Sequence, residues 1–302
     1  MESIGVIGAG FVGTAVIEGM NHAFNVFWYD KHKQVNDGDY RGWTKDNHLK
    51  KRVRDVAELV RAVDGPIFVC VPTPMQKDGS CDTSIVESVL DDLNLAYDNL
   101  HGGRHAEPHV VIIKSTVVPG TTDSLSLDYK YLSLVFNPEF LRESNFVEDF
   151  KKQDRIIIGG PHAATAVVKQ MYQIAYPQVP TTKTSAAIAE MVKYVTNCFL
   201  ATKVSFANEV AEICGKLGID YDKVIEYATK DARLGLSHWS VPGPDGKVGF
   251  SGSCFPKDLN ALINRAEKIG CSPETMKAAW KTNLRVRPEK DWEQLKGRAV
   301  KE

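Results

Sequence analysis

The sequence predicts an α/β protein, a doubly wound parallel sheet followed by a mainly helical second domain with a long central helix. Three observations predict it. Short apolar runs alternate with helical stretches through residues 4–160. From Ser185 to Leu217 apolar residues then recur at three- and four-residue spacing. No internal repeat and no apolar run near the ~18 residues of a membrane span competes with this reading.

The elements follow in order. Strands are expected at Ile4–Ile7, Asn25–Tyr29, Pro66–Val71, Val110–Ile113, Leu134–Phe136 and Arg155–Gly159. Each is a short, nearly continuous apolar run, the pattern of a parallel strand buried on both faces. Helices are expected between them at Phe11–His22, Val53–Val63 and Ser84–Asn99. The texture changes near Pro177 and Pro180, so the domains are expected at 1–180 and 181–302. In the long helix Ile188, Val192, Val195, Phe199, Phe206, Val210 and Ile213 form a stripe, broken once at Thr202-Lys203. Its length far exceeds the ~11–12 residues of a mean helix. Such a helix spans between domains or builds an interface. A homodimer through the 185–217 helix is expected, in an isologous arrangement. Further helices are expected at Asp222–Thr229, Asp258–Ile269 and Pro273–Leu284, and a loop at Val241–Gly252.

The 302 residues imply about two domains. The net charge of -1, with no single-sign block, points away from nucleic acid and membrane partners. None of the six cysteines forms a C-x-x-C pair, so no metal is expected. The N-terminus lacks a basic segment followed by a long apolar one, and the cytoplasm is the expected compartment.

Gly8-Ala9-Gly10-Phe11-Val12-Gly13 lies between a strand and a helix, and Asp30 follows Gly10 by 20 residues, closing the second strand. That context makes the glycine pattern a Rossmann-type dinucleotide site. Gly8 makes the tight turn. Gly10 admits the pyrophosphate at the helix N-terminus, and Gly13 lets helix and strand approach. Asp30 would repel a 2′-phosphate, so NAD is expected rather than NADP, with Lys31 beside it working the other way.

Gly249-Phe250-Ser251-Gly252-Ser253-Cys254-Phe255-Pro256-Lys257-Asp258 places a thiol, an ammonium and a carboxylate within five residues. A cysteine is a nucleophile as its thiolate, which nearby positive charge favours. Lys257 can supply that charge, and Asp258 can move protons. Asp258 could equally be the N-cap of the helical stretch it opens, and Cys254 a buried structural thiol. Lys193 and Asn197, four residues apart, face one side of a helix, and Asn208 returns to that face within about 20°. An ammonium and two amides could thus meet a reacting oxygen, unless this is a solvated face.

Lys114-Ser115-Thr116-Val117-Val118-Pro119-Gly120-Thr121, Asn137-Pro138-Glu139-Phe140-Leu141-Arg142-Glu143, Lys193-Tyr194…Asn197 and Asp231-Ala232-Arg233-Leu234-Gly235 complete a set of six segments. In this order they resemble the UDP-glucose/GDP-mannose dehydrogenase family over almost the whole chain. The resemblance implies NAD-dependent oxidation of the C6 alcohol of a nucleotide sugar to a carboxylate, in two steps. Hydride loss from a thiohemiacetal would leave a thioester, which water then cleaves. The run at 254–258 is most like that of the UDP-glucose enzymes, implying UDP-glucose to UDP-glucuronate; a GDP-mannose type remains open. By resemblance Cys254 is the nucleophile, Asp258 handles the catalytic water, and Lys193 with Asn197 steadies the oxyanion. Glu139 would move protons in hydrolysis while Thr116 holds the water. Phe11, Val12, Lys31, Pro72, Thr73, Thr116, Glu143 and Lys257 are the further cofactor contacts it implies. The implied substrate contacts are Glu139, Phe140, Leu141, Glu143, Lys193, Asn197, Arg233, Phe250 and Gly252, with Arg233 reaching a neighbouring subunit's substrate.

Three departures from the family pattern stand out. The chain ends before a C-terminal domain that helps hold the nucleotide. Ser251 replaces a usual glycine, which would be strained if that position needs φ > 0. Pro244-Asp245-Gly246-Lys247-Val248 is an extra stretch. Two other readings stay open. A β-hydroxyacid dehydrogenase shares the plan but needs no cysteine nucleophile. A catalytically weak NAD-binding partner protein would fit the missing domain.

Overall fold

The computed structural model describes residues 1–33, 42–43, 48–102 and 107–301. They form two compact units, Met1–Thr73 with Thr83–Lys193, and Pro74–Asp82 with Tyr194–Glu302. The contact boundary thus lies inside the long helix, thirteen residues beyond the change of texture at Pro180.

The first unit is built on strands β1 (Ser3–Ile7), β2 (Asn25–Tyr29), β3 (Gly42–Trp43), β4 (Leu49–Arg52), β5 (Ile67–Val69), β6 (His109–Ile113), β7 (Leu132–Phe136), β8 (Ile156–Gly159) and β9 (Thr181–Thr184). They make one nine-stranded sheet in the order β3-β4-β2-β1-β5-β6-β7-β8-β9. Helices α1 (Phe11–Met20), α2 (Val56–Ala62), α3 (Ser84–His101), α4 (Thr121–Leu125), α5 (Phe146–Lys151) and α6 (His162–Ala175) connect them. All five residues of β1 are buried, as the apolar run required. The two faces carry separate cores. Val6, Val26, Phe68, Ile112 and Val135 pack with α1 and α6, while Ile7, Ile67, Val69, Val111 and Leu134 pack with α2 and α3. Between β1 and β5 the strand order reverses direction. In such sheets ligands bind beyond the carboxyl ends of the strands at that point.

Not every strand is parallel, which corrects the expectation. β8 pairs antiparallel with β7, and β3 with β4. After Phe136 no helix crosses the face of the sheet; α5 packs on α1 instead. The chain therefore re-enters at the end where β7 finished, and antiparallel pairing follows.

Helix α7 (Ala186–Leu217) runs from the first unit into the second, which adds α8 (Tyr221–Ala228), α9 (Phe255–Lys268) and α10 (Glu274–Val286). Ser205 Oγ donates to Ala279 O at 2.7 Å and Thr282 Oγ1 to Glu209 Oε1 at 2.7 Å, tying α10 to α7. Trp280 of α10 packs its ring, tilted, between those of Phe250 and Trp292. Helix α7 buries polar side chains together with mostly small apolar ones and leaves large apolar ones outside. Its buried positions include Glu190, Lys193, Asn197, Lys203, Ser205 and Asn208, while Ile188, Val195, Phe199, Phe206, Ile213 and Leu217 are each more than half exposed.

Candidate active site

The β1–α1 turn has the shape the glycines predict. Gly8 takes φ +87°, and a Cβ on Gly13 would lie 1.7 Å from Gly8 O. A Cβ on Gly10 would meet nothing within 4 Å. The space beside the first turn of α1 is open, and the helix N-terminus favours an anion there. Asp30 Oδ2 accepts from Ala9 N–H at 2.6 Å, and Oδ1 from His32 and Lys33 N–H at 2.8 and 3.1 Å. Burial raises this carboxyl, but the three N–H groups and the Lys33 charge outweigh it and hold Asp30 below its ordinary value. An ionised acceptor therefore closes β2, where a ribose hydroxyl is bound in this fold. Phe11 and Lys31 are exposed and Val12 is half-buried. Pro72 is exposed, and Thr73 Oγ1 donates to Thr116 O at 2.7 Å, which draws the loops after β5 and β6 together. The donor set of this turn fits a dinucleotide.

A buried ion pair lies beyond β7 in the same unit. Lys193 Nζ donates to Glu139 Oε1 at 2.8 Å and to Glu139 O at 2.7 Å, both side chains being under a tenth exposed. Leu141 N–H donates to Glu139 Oε2 at 2.7 Å. Burial pushes the Glu139 carboxyl up, but Lys193, Leu141 N–H and Lys114 together hold it below its ordinary value. The side chain of Lys193 is thus not on a solvated face. Lys114 is a residue whose part in the site the sequence did not show. Fully buried, it donates to Asn137 Oδ1 at 2.8 Å, as does Tyr172 OH at 2.6 Å, and burial pushes it down to about 8. Its sequence signals are a lysine ending an apolar strand and its place at the head of the 114–121 segment, a place that by itself assigns it no role. Phe140 lies under the Arg155 guanidinium, 4.3 Å from the ring centroid. Leu141 is half-buried, Glu143 is exposed, and Thr116 is buried.

The second unit holds the cysteine turn. Cys254 is the N-cap of α9 and half-buried, with Ser253 Oγ 3.8 Å from its sulfur. The helix begins at Phe255 with Pro256 in its first turn, so Asp258 is not its N-cap. Asp258 is instead buried beneath the turn, accepting from Lys257 Nζ on Oδ1 and from Asn197 Nδ2 at 2.6 Å on Oδ2. Burial disfavours the Lys257 ammonium, but Asp258 and then Cys254 raise it, so it stays charged. The thiol therefore lies at a helix N-terminus, with the Lys257 ammonium, itself paired with Asp258, close enough to interact with it electrostatically.

Asn208 is also buried, but its amide serves the backbone, donating to Val204 O and accepting from Gly249 N–H at 3.1 Å. It does not join Asn197 at Asp258. Gly249 and Gly252 have positive φ and Ser251 does not, so the serine is unstrained. Phe250 is buried, and Gly252 is half-buried. The Arg233 side chain is 89% exposed and paired with Asp231. Among the described residues no His, Cys, Asp or Glu group could hold a metal ion.

Two family models match in sequence order, the NAD binding domain of the UDP-glucose/GDP-mannose dehydrogenase family at residues 2–176 and its central domain at 187–285. The chain belongs to this family. NAD is accordingly the cofactor of its first domain. UDP-glucose 6-dehydrogenase TuaD of Bacillus subtilis is 34% identical over 77% of the chain and 49% of its own length. GDP-mannose 6-dehydrogenase of Pseudomonas savastanoi pv. phaseolicola is 30% identical over 83% of the chain and 55% of its own. Among solved structures, a UDP-glucose dehydrogenase from Pyrobaculum islandicum superposes with a TM-score of 0.82 at 31% identity, covering 94% of this chain and 68% of that one. The chain spans about half the length of the curated relatives it matches.

Proposed function

We propose that this chain oxidises the C6 alcohol of a nucleotide sugar, UDP-glucose to UDP-glucuronate, in two NAD-dependent steps through a thiohemiacetal and a thioester on Cys254. The observation that carries this is Cys254 at the N-cap of α9 with the Lys257 ammonium in the same turn. NAD, when bound, accepts the hydride in each oxidation. Lys193 places its ammonium against the oxyanion that develops at C6, with Asn197 four residues along α7 as a second donor. The Cys254 thiolate adds to the C6 aldehyde; after the second oxidation the sugar is held as a thioester. Water adds to that carbonyl, the C–S bond breaks, and the thiolate leaves. Glu139, ionised, takes the proton from this water, which Thr116 holds, and Asp258 keeps the amide of Asn197 and the ammonium of Lys257 in place.

Three further parts belong to the proposal. The exposed apolar stripe of α7 is the surface of an isologous homodimer, in which Arg233 reaches the partner's substrate. The domains are 1–180 and 181–302, and the reaction is cytoplasmic, in keeping with six free cysteines. No helix among the described residues is long and apolar enough to cross a membrane.

The test is to supply NAD with UDP-glucose and, in parallel, GDP-mannose, and to count NADH against acid. Two NADH per acid from UDP-glucose is expected. Cys254→Ala should stop after one, with the aldehyde as product. A single NADH per turnover in the unmutated chain would contradict the proposal, and preference for GDP-mannose would contradict the substrate assigned.

A further inference from the structure

The turn that carries Cys254 is held by side chains outside every motif of the sequence. Phe250 N–H donates to Asn283 Oδ1 at 2.7 Å, and Asn283 Nδ2 donates back to Phe250 O at 3.0 Å. The next residue is held by charge. Ser251 Oγ donates to Asp291 Oδ1 at 2.6 Å. Arg287 grips the same carboxylate, Nε to Oδ1 at 2.9 Å and Nη2 to Oδ2 at 2.6 Å. This two-point pairing fixes the plane of the carboxylate as well as its position. Arg287 is 2% exposed, and it also donates to Asp245 Oδ2 at 2.6 Å and to Val248 O at 3.3 Å. Lys247 Nζ lies 3.4 Å from Asp291 Oδ2. Lys290, immediately before Asp291, has φ 46°, a conformation uncommon for a residue with a side chain. The turn there brings Asp291 back over Arg287, four residues earlier.

We propose that Asp291, locked by Arg287, is a positioning residue for Cys254. Through the Ser251 hydroxyl it sets the path of residues 251–254, and with it the place from which the sulfur attacks the aldehyde. The inference rests on the reading of Cys254 as nucleophile and deepens it. It gives two departures from the family pattern one purpose. Ser251 supplies a hydroxyl where glycine would supply none, and the 244–248 stretch supplies Asp245 and the Val248 carbonyl that complete the surroundings of Arg287. The step it governs is addition: the C–S bond forms, the carbonyl π electrons move to oxygen, and that oxygen takes up a proton. No oxidant is consumed.

The thiol is needed only after the first oxidation, and this makes the proposal testable. The full chain is given NAD and UDP-glucose, with GDP-mannose in parallel, and NADH, acid and hydroxylamine-trapped aldehyde are all measured. In Asp291→Ala the acid formed per aldehyde should fall about ten- to a hundred-fold, the scale of a misplaced reacting group. Removing Asp291 leaves Arg287 with one carboxylate fewer, so Ser251→Ala serves as the milder variant. It spares the Arg287–Asp291 pair and should still release aldehyde. Asp291→Asn, whose amide oxygen can accept from Ser251, should recover much of the acid. If Ser251→Ala and Asp291→Ala slow both oxidations equally, or neither, the positioning role is overturned. Two NADH per sugar from Cys254→Ala would strike the nucleophile reading instead, so the two failures are told apart.

Discussion

Glu139 is a carboxyl buried near two ammonium groups, and its charge state depends on both. Held below its ordinary value, it contributes stability above the usual carboxylate range that is lost as pH falls through its depressed value. The same shift sets the acid limb of activity, since the proposed base must be ionised. Lys114→Met removes one of the cations that depress it, so the acid limb of kcat/KM should move to higher pH. A pH–rate profile that stays in place would show that Lys114 does not tune Glu139. Removing Lys193 is a larger change. Lys193→Ala should slow both oxidations and cost about 3–5 kcal/mol of stability, because a buried carboxylate loses its partner; calorimetry beside single-turnover kinetics separates the two effects. Two glycines allow a cleaner separation. Gly13→Ala drives a Cβ into Gly8 O and should lower Tm, whereas Gly10→Ala meets open space. Gly10→Ala should therefore keep the Tm of the free chain and weaken NAD, as titration calorimetry would show. Unchanged NAD affinity in Gly10→Ala would remove the pyrophosphate from this turn.

At the scale of elements, α7 is the one whose two faces disagree with its surroundings. Ionic and amide side chains are buried along it and large apolar ones face outward. Phe199 and Phe206, seven residues apart on the exposed stripe, are 67% and 55% exposed. In the proposed dimer two such stripes would cover each other, and each Å² of apolar surface so buried favours association by roughly 25 cal/mol. Phe199→Asp with Phe206→Asp should convert a dimer to a monomer by light scattering at micromolar concentration, without unfolding the chain. A monomer before mutation would contradict the interface. This helix was legible because its period runs without a glycine or proline through residues 185–214. The strands β4 and β9 were not legible. Leu49-Lys50-Lys51-Arg52 and Thr181-Thr182-Lys183-Thr184 contain no apolar run, and only pairing with β2 and β8 makes them strands. The parallel reading failed at β8 because strand direction is decided by where the chain re-enters the sheet, which periodicity does not record.

For the whole molecule, local patterns carried further than long-range ones. Gly8 to Gly13, Asp30 and the 249–258 turn are contiguous or at fixed spacing; the first two form an open helix N-terminus with an acceptor beside it, and the turn puts Cys254 at the N-cap of α9. Asn137 with Lys114 and Tyr172, and Ser251 with Asp291, are joined across 23 to 40 positions, and no spacing rule reaches them. In the proposed reaction, oxidation passes through a covalent bond to Cys254. It is tested most directly by stopping hydrolysis. Glu139→Gln keeps an oxygen beside Lys193 but cannot take the proton from water. With NAD and UDP-glucose, intact-mass measurement followed by peptide mapping should find the uronyl group attached through sulfur to Cys254. An adduct on another residue, or complete conversion to acid with no adduct at any time, would contradict the account.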